Sequence, residues 1–389
     1  MKFVCDYTAS GVRILRCFGF DGQVELPEKI HGMEVVGLGA YGFADIVRRQ
    51  ENGVKYLAWL REDEDDRDVE DDRDVEDARD VEDARDAEDA RDAEDAGGVG
   101  DVKDAGEGGS EWAWEECSAD LLSREELEDG TPVVKGNGLK SVSLPKGLKK
   151  IGAYAFYHCE NLEYLAFYSR ISDLGAGLFT GCYGVGELDV RMIPGEKSCL
   201  KEVLAELRQT LRVCCRDEQG EIVAKLVFPE YFEESIENTP ARILTQEMHG
   251  CGHRYRNAFS GTEIQYSVYD KLFPHVQVQE DPELVTELVL GRLRYPVQLS
   301  EERKKVYETY AAEHGREIVK AAFLQEEEAM EILRFAGEAK WCTKQCMEDM
   351  LDEAGRRGNP QAAGVLMELL RRQRKGSGAE EKKQRRFAL

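Results

Sequence analysis

Leu139-Lys140-Ser141-Val142-Ser143-Leu144 begins a stretch, ending at Val190, that matches itself when displaced by 23 residues. Leu139, Val142 and Leu144 fall on Leu162, Leu165 and Phe167, and then on Val185, Leu188 and Val190. Leu148 falls on Ile171, Ile151-Gly152 on Leu174-Gly175, Phe156 on Phe179, and Cys159 on Cys182. A fixed period in the twenties, with apolar residues spaced three and then two apart, predicts one short strand and one return segment per repeat. Neither piece can bury its apolar side alone. Stacked copies form one continuous core and share their stability with their neighbours.

Residues 1–60 carry diverged versions of the same unit. Val24-Glu25-Leu26-Pro27 parallels Val142-Ser143-Leu144-Pro145, and Leu38-Gly39-Ala40-Tyr41-Gly42-Phe43 parallels Ile151-Gly152-Ala153-Tyr154-Ala155-Phe156. Val54–Trp59 echoes Leu162–Phe167, so the next repeat strand is expected there, and Met1–Tyr7 reads as a first strand. Residues 61–117 interrupt the pattern with an acidic low-complexity insertion. Between Arg61 and Ala96, 21 acids stand against 6 arginines, a balance of −15 out of −26 for the chain. Its six-residue period gathers no apolar face, so the expectation is disorder or a solvated helix.

Residues 118–195 resume the repeats, and residues 196–280 read as a small α+β region. Ser198 should cap a helix carrying Leu200, Leu204, Leu207 and Leu211. A hairpin should follow, with alternating Leu211, Val213 and Cys215, a turn at Asp217–Gly220, and a return through Ile222–Phe228. From Pro229 to Pro274 no period is visible, only a wealth of Tyr, Phe and Arg suited either to an interface or to a small irregular core. Asp281-Pro282 and Ser300 are helix starts, and further helices are expected near 315–324, 326–336, 343–355 and 360–373. Residues 281–375 thus form a helical array, and 376–389 a basic tail. Between Arg371 and Leu389, eight basic residues face two acids, and pairing with the acidic tract is one use for them.

Composition narrows the functional classes. The bulk acidity argues against a nucleic-acid partner. No run of eighteen apolar residues exists to span a bilayer, and the first residues read as a strand rather than as a secretory leader, so a cytoplasmic location is expected. The eleven scattered cysteines sit mostly within apolar patterns, as small hydrophobes would.

Three motifs compete as chemistry. Gly37-Leu38-Gly39-Ala40-Tyr41-Gly42 satisfies the glycine fingerprint of dinucleotide loops, with Glu62 and Asp63 about 20 residues on. The same phase recurs at Lys150 and Asp173 in place of Gly37, as a structural repeat requires. His249-Gly250-Cys251-Gly252-His253 offers soft ligands, too few and too close for a standard zinc module. Cys342 and Cys346 lie one helical turn apart and read as buried neighbours. No metal, cofactor or catalytic residue is expected.

The repeats resemble the BspA-like branch of leucine-rich repeats through the return Ile151-Gly152-Ala153-Tyr154-Ala155-Phe156-Tyr157-His158-Cys159. Leu174–Cys182 follows it with Leu178 for Ala, and Ile46 stands at the cysteine position of the first unit. The resemblance implies protein or ligand binding without catalysis. His314–Lys320 and Ala354–Asn359 resemble fragments of ankyrin helix pairs. The expectation is therefore an α/β solenoid of leucine-rich type, a small α+β segment and a C-terminal helical array, acting as a non-enzymatic interaction scaffold for a protein partner. The outward strand positions Ser141, Ser143, Tyr164, Ala166, Glu187 and Asp189 are the candidate partner-binding residues. A dinucleotide enzyme or sensor using Gly37–Gly42, or a surface adhesin, are the alternatives.

Overall fold

The computed structural model describes residues 1–46, 54–60, 112–238 and 243–372, with the side chains of 236–246 outside the description. Residues 61–111 of the acidic insertion and the basic tail lie outside these residues, while the insertion's last residues, Trp112–Cys117, form a strand rather than a solvated helix. The chain forms a β-solenoid of about six turns over residues 12–216, followed by an array of helices.

Two sheets make the walls of the coil. One runs through β3 (Gln23–Glu25), β8 (Ser141–Ser143), β10 (Tyr164–Tyr168), β12 (Glu187–Arg191) and β13 (Leu211–Arg216), all parallel. An antiparallel β14 (Ile222–Phe228) closes its far end. Its register keeps equivalent residues side by side: Val24 opposite Val142, Val142 opposite Leu165, Leu165 opposite Leu188, and Leu188 opposite Val213. All five side chains are buried. The second sheet stacks β2 (Gly11–Phe18), β5 (Met33–Leu38), β9 (Lys150–Ile151) and β11 (Asp173–Leu174) in parallel, with Leu38 on Ile151 and Ile151 on Leu174. A two-residue β4 (Lys29–Ile30) pairs with β5.

The return segments explain the repeated letters. Phe43, Phe156 and Phe179 stack between the sheets, with ring centroids 5.6 and 5.4 Å apart and planes within 7° of parallel. The thiol of Cys159 donates to the carbonyl of Phe43 at 3.4 Å, and that of Cys182 to Phe156 at 2.8 Å. Each cysteine thus ties its coil to the phenylalanine of the coil before. Gly152 and Gly175 are required by close approach: a Cβ on either would lie 2.2 Å from the backbone nitrogen of Ala40 or Ala153. Tyr41, Tyr154 and Gly177 share one left-handed position, at φ 58°, 56° and 63°.

Several expectations are corrected. Val54–Trp59 is not a solenoid strand. Its β6 (Lys55–Leu60) runs antiparallel to β1 (Lys2–Thr8), which is antiparallel to β2, and β7 (Trp112–Cys117) adds to its other edge. The parallel ladder passes directly from β3 to β8, across more than a hundred residues of chain. Lys55 shows why: it is buried against Asp6, which also holds Arg13, and this pairing exists only beside β1 and β2. Ile46 is half exposed and does not fill the cysteine's place. Leu211 belongs to β13 rather than to the helix before it. That helix is α1 (Leu200–Glu206), which ends before Leu207; its N-cap is Cys199 rather than Ser198, whose hydroxyl accepts from the Leu200 amide.

Beyond β14 the aperiodic stretch contains a two-stranded ribbon that its sequence did not announce, β15 (Phe232–Asn238) with β16 (Ile243–His249). There follow α2 (Gly252–Arg256), the short pair β17 (Phe259–Ser260) and β18 (Glu263–Ile264), α3 (Tyr266–Lys271) and α4 (Phe273–Gln279). The helices α5 (Pro282–Arg294), α6 (Glu301–Glu313), α7 (Gly315–Leu324), α8 (Ala329–Glu338) and α9 (Lys344–Arg356) then pack as an array, with a last helix at 360–372. The Ser300 hydroxyl caps α6 by accepting from Arg303, and Thr343 caps α9 by accepting from Cys346. Ile318, Leu333, Met347 and Leu366 meet in the array's own core.

One buried polar cluster ties α3, α5 and α6 together. Arg292 of α5 is fully buried and donates to both oxygens of Asp270 at 2.8 and 3.0 Å, and to the Val297 carbonyl at 2.9 Å. Tyr307 of α6 donates to the same Asp270 at 2.9 Å. Arg256 spends its guanidinium on backbone carbonyls of Leu204, Leu207, Pro229 and Gln209.

Candidate functional site

The outward side chains of the parallel sheet fall into two rows because successive strands pair without slipping. One row is Gln23, Ser141, Tyr164, Glu187 and Arg212; the next is Glu25, Ser143, Ala166, Asp189 and Cys214. The six candidate residues therefore share one face. They do not share one environment. Ser141, Ser143 and Tyr164 line an open groove of about 630 Å³ with Glu25, Lys140 and Glu163. Tyr164, Glu187 and Asp189 line a cleft of about 470 Å³ at the other end. Tyr164 is the residue common to both. Ala166 lies on the face and lines neither.

The cleft has an opposing wall that strand alternation could not reveal. α5 lies across β14, where Gly291 brings the helix so close that a Cβ would meet the Lys225 carbonyl at 2.6 Å. The turn Glu326–Glu328 and the start of α8 complete the wall. Ion pairs stitch wall to floor. Arg212 of the floor holds Glu287 of α5 through two hydrogen bonds of 2.6 and 3.0 Å, while within the floor Arg216 holds Asp189 at 2.8 and 3.0 Å. Lys225 of β14 and Arg294 of α5 both donate to Glu328.

The electrostatics follow from burial and these partners. Burial, and then the Arg212 charge working against it, leaves Glu287 above the usual carboxylate range. Burial opposes ionisation of Glu328 as well, but the hydrogen bonds from Lys225 and Arg294 prevail and hold it low. Burial and the neighbouring Asp189 push the Tyr164 hydroxyl up to about 12 and the Cys214 thiol up to about 11. Neither is poised as a nucleophile or base near neutral pH. The cations of the cleft are committed to carboxylates. By contrast Asp21, Glu25, Glu163, Glu187, Glu326 and Glu327 are exposed and form no ion pair among the described residues.

The glycine loop is placed differently from a phosphate cradle. Gly37 pairs with Lys150 inside the stacked sheet, and Gly39 packs against the Leu15 side chain. A pyrophosphate site needs a helix N-terminus after the loop; among the described residues none follows Gly42. In the His249–His253 segment the side chains have separate partners. His249 meets Glu234, the Cys251 thiol donates to Glu280, and His253 meets Asn257. Cys342 and Cys346 are both buried in the helical array.

Residues 134–194 match the family model described as BspA type leucine rich repeat region, in six copies, and this part of the chain is a repeat region of that type. The match stops short of the helices, and no family match supports the ankyrin likeness. Comparisons with curated proteins and with solved structures gave no match. The solenoid is a leucine-rich-repeat fold, typical of protein binding and usually non-catalytic.

Proposed function

We propose that the chain is a non-enzymatic scaffold that holds a protein partner on the outward face of its parallel sheet, from the open groove at β3 and β8 into the cleft under α5. The observation that carries this reading is the pair of uninterrupted side-chain rows. Five strands present Gln23 to Arg212 and Glu25 to Cys214 in register, at roughly 4.8 Å per strand. An extended segment crossing the strands meets a new side chain at each step. Tyr164, at the junction of groove and cleft, supplies an amphipathic anchor of the type favoured at interfaces.

A cytoplasmic location belongs to the same proposal, and cell fractionation tests it against surface display. The test of the face is a double variant, Ser143→Lys with Glu187→Lys, in affinity capture. Asp189 is left intact because Arg216 depends on it. Capture of partners should fall at least about tenfold, the effect of losing about 1.4 kcal/mol. A control, Lys150→Glu on the other sheet, should leave capture unchanged. Equal capture by the double variant and the wild-type chain removes this face from consideration.

A further inference from the structure

We infer that the strand face carries an occupant within its own chain, the basic segment 373–389, which competes with any separate protein partner. The inference rests on the reading of that face as a binding surface.

The first support is geometric. The last helix ends at Arg372, whose guanidinium lies 3.9 Å from Glu338 at the end of α8. The other end of α8 begins at Ala329, immediately after the Glu326–Glu328 wall of the cleft. Ten helical residues separate these ends by about 15 Å. The three strand-to-strand steps from Glu187 to Gln23 add about 14 Å. The 17 residues after Arg372 span up to about 60 Å when extended, so they reach the cleft and the whole groove.

The second support is charge. Two groups of exposed acids without ion-pair partners among the described residues line this face: Glu187, Glu326 and Glu327 at the cleft, and Asp21, Glu25 and Glu163 at the groove. Among the described residues, Lys140 is the one cation lining the groove. The segment has two basic groups in matching order. Arg374-Lys375 stand next to the anchor, and Lys382-Lys383 with Arg385-Arg386 follow after the spacer Gly376-Ser377-Gly378-Ala379-Glu380-Glu381. The ten steps from Arg372 to Lys382 cover up to about 35 Å, more than the roughly 29 Å along α8 and across the strands to the groove. The cations already within the cleft do not oppose this, because the four of them, Arg212, Arg216, Lys225 and Arg294, are paired with the four acids Glu287, Asp189, Glu328 and Glu331.

Zero-length carbodiimide coupling of the full chain tests the assignment, since it joins a lysine amine to a carboxylate only in direct contact. Peptide mapping should find Lys375 joined to Glu187, Glu326 or Glu327, and Lys382 or Lys383 joined to Asp21, Glu25 or Glu163. These products should fall about fivefold in 0.5 M salt, where the screening length shrinks below 5 Å. They should also fall in the variant Arg374→Gln, Arg385→Gln, Arg386→Gln, which keeps every reactive lysine. Links only to the acids of 62–95, links only between isotopically distinct copies, or no links at all would each overturn the inference. If they fail while Ser143→Lys with Glu187→Lys still lowers partner capture, the segment is wrong and the face stands. If the links form and capture is unchanged, the face serves the segment alone.

Discussion

The coils between Leu139 and Val190 and the junction between Pro229 and Ala311 share one apolar core but differ in what is added to it. In the coils each position repeats, and cohesion comes from apolar rows, stacked phenylalanines and one thiol bond per turn. In the junction nothing repeats. Beside apolar contacts continuous with the coils, a fully buried Asp270–Arg292 pair with Tyr307 bonded to it ties α3, α5 and α6 together, Arg256 binds carbonyls at the solenoid's end, and Arg212 of β13 holds Glu287 of α5. Stability in the first region is distributed over many similar contacts. In the second, apolar contacts are joined by a few buried polar groups whose desolvation must be met in full.

The sharpest way to break this contrast is Arg292→Met. It leaves the Asp270 carboxylate buried without its cation, a loss of about 3–5 kcal/mol. Urea unfolding should show it as a lower midpoint for the helical array. Asp270→Leu combined with Arg292→Met removes both charges and should recover much of the loss. A cost below 1 kcal/mol for the single change would mean the junction is held by its apolar contacts alone.

Next in size is Gly152→Ala, which drives a methyl group into the Ala40 backbone and forces two coils apart. Overpacking of this kind costs about 1–3 kcal/mol. Gly355→Ala is the matched control. It lies within α9 with nothing within 4 Å of the new Cβ, so it should be neutral or stabilising by up to about 1 kcal/mol. Thermal unfolding of the two variants should therefore move in opposite directions. If both move alike, close stacking is not what selects glycine at position 152.

The same contrast decides what could be read from the letters alone. A motif repeating every 23 residues exposes its buried positions, its glycines and its outward rows, and so Ser141, Tyr164 and Glu187 were legible as one face. Pairing partners were less so. Lys55-Tyr56-Leu57-Ala58-Trp59 has the alternation of Glu163-Tyr164-Leu165-Ala166-Phe167, yet it joins β1 instead of the ladder. Alternation fixes which side of a strand is apolar, not which strand lies beside it. A lysine at a position that becomes buried was the available clue, and it points to Asp6. The opposing wall of the cleft left no local trace. Glu287, Arg294 and Glu328 look like ordinary helix-surface charges until the array folds back over β14.

Glu328 supplies the finest test, because it joins the two regions at the cleft. Lys225 comes from the solenoid's last strand and Arg294 from the array, and both meet this one carboxylate. Its acidity is strengthened in the fold despite burial, so the folded chain releases its proton more readily than the unfolded chain does. Such a group stabilises above the ordinary glutamate value of about 4.3, and the contribution fades as pH falls through the lower folded value. Glu328→Gln should therefore cost about 1 kcal/mol at pH 7, the scale of a partly exposed charged pair. The gap to the wild-type chain should narrow steadily below about pH 4.5. Urea midpoints of both proteins across pH 3–7 measure it. A gap that stays constant over that range would show that shape rather than charge sets the value of the contact, and the cleft would then be closed by packing at Gly291 and Leu290 alone.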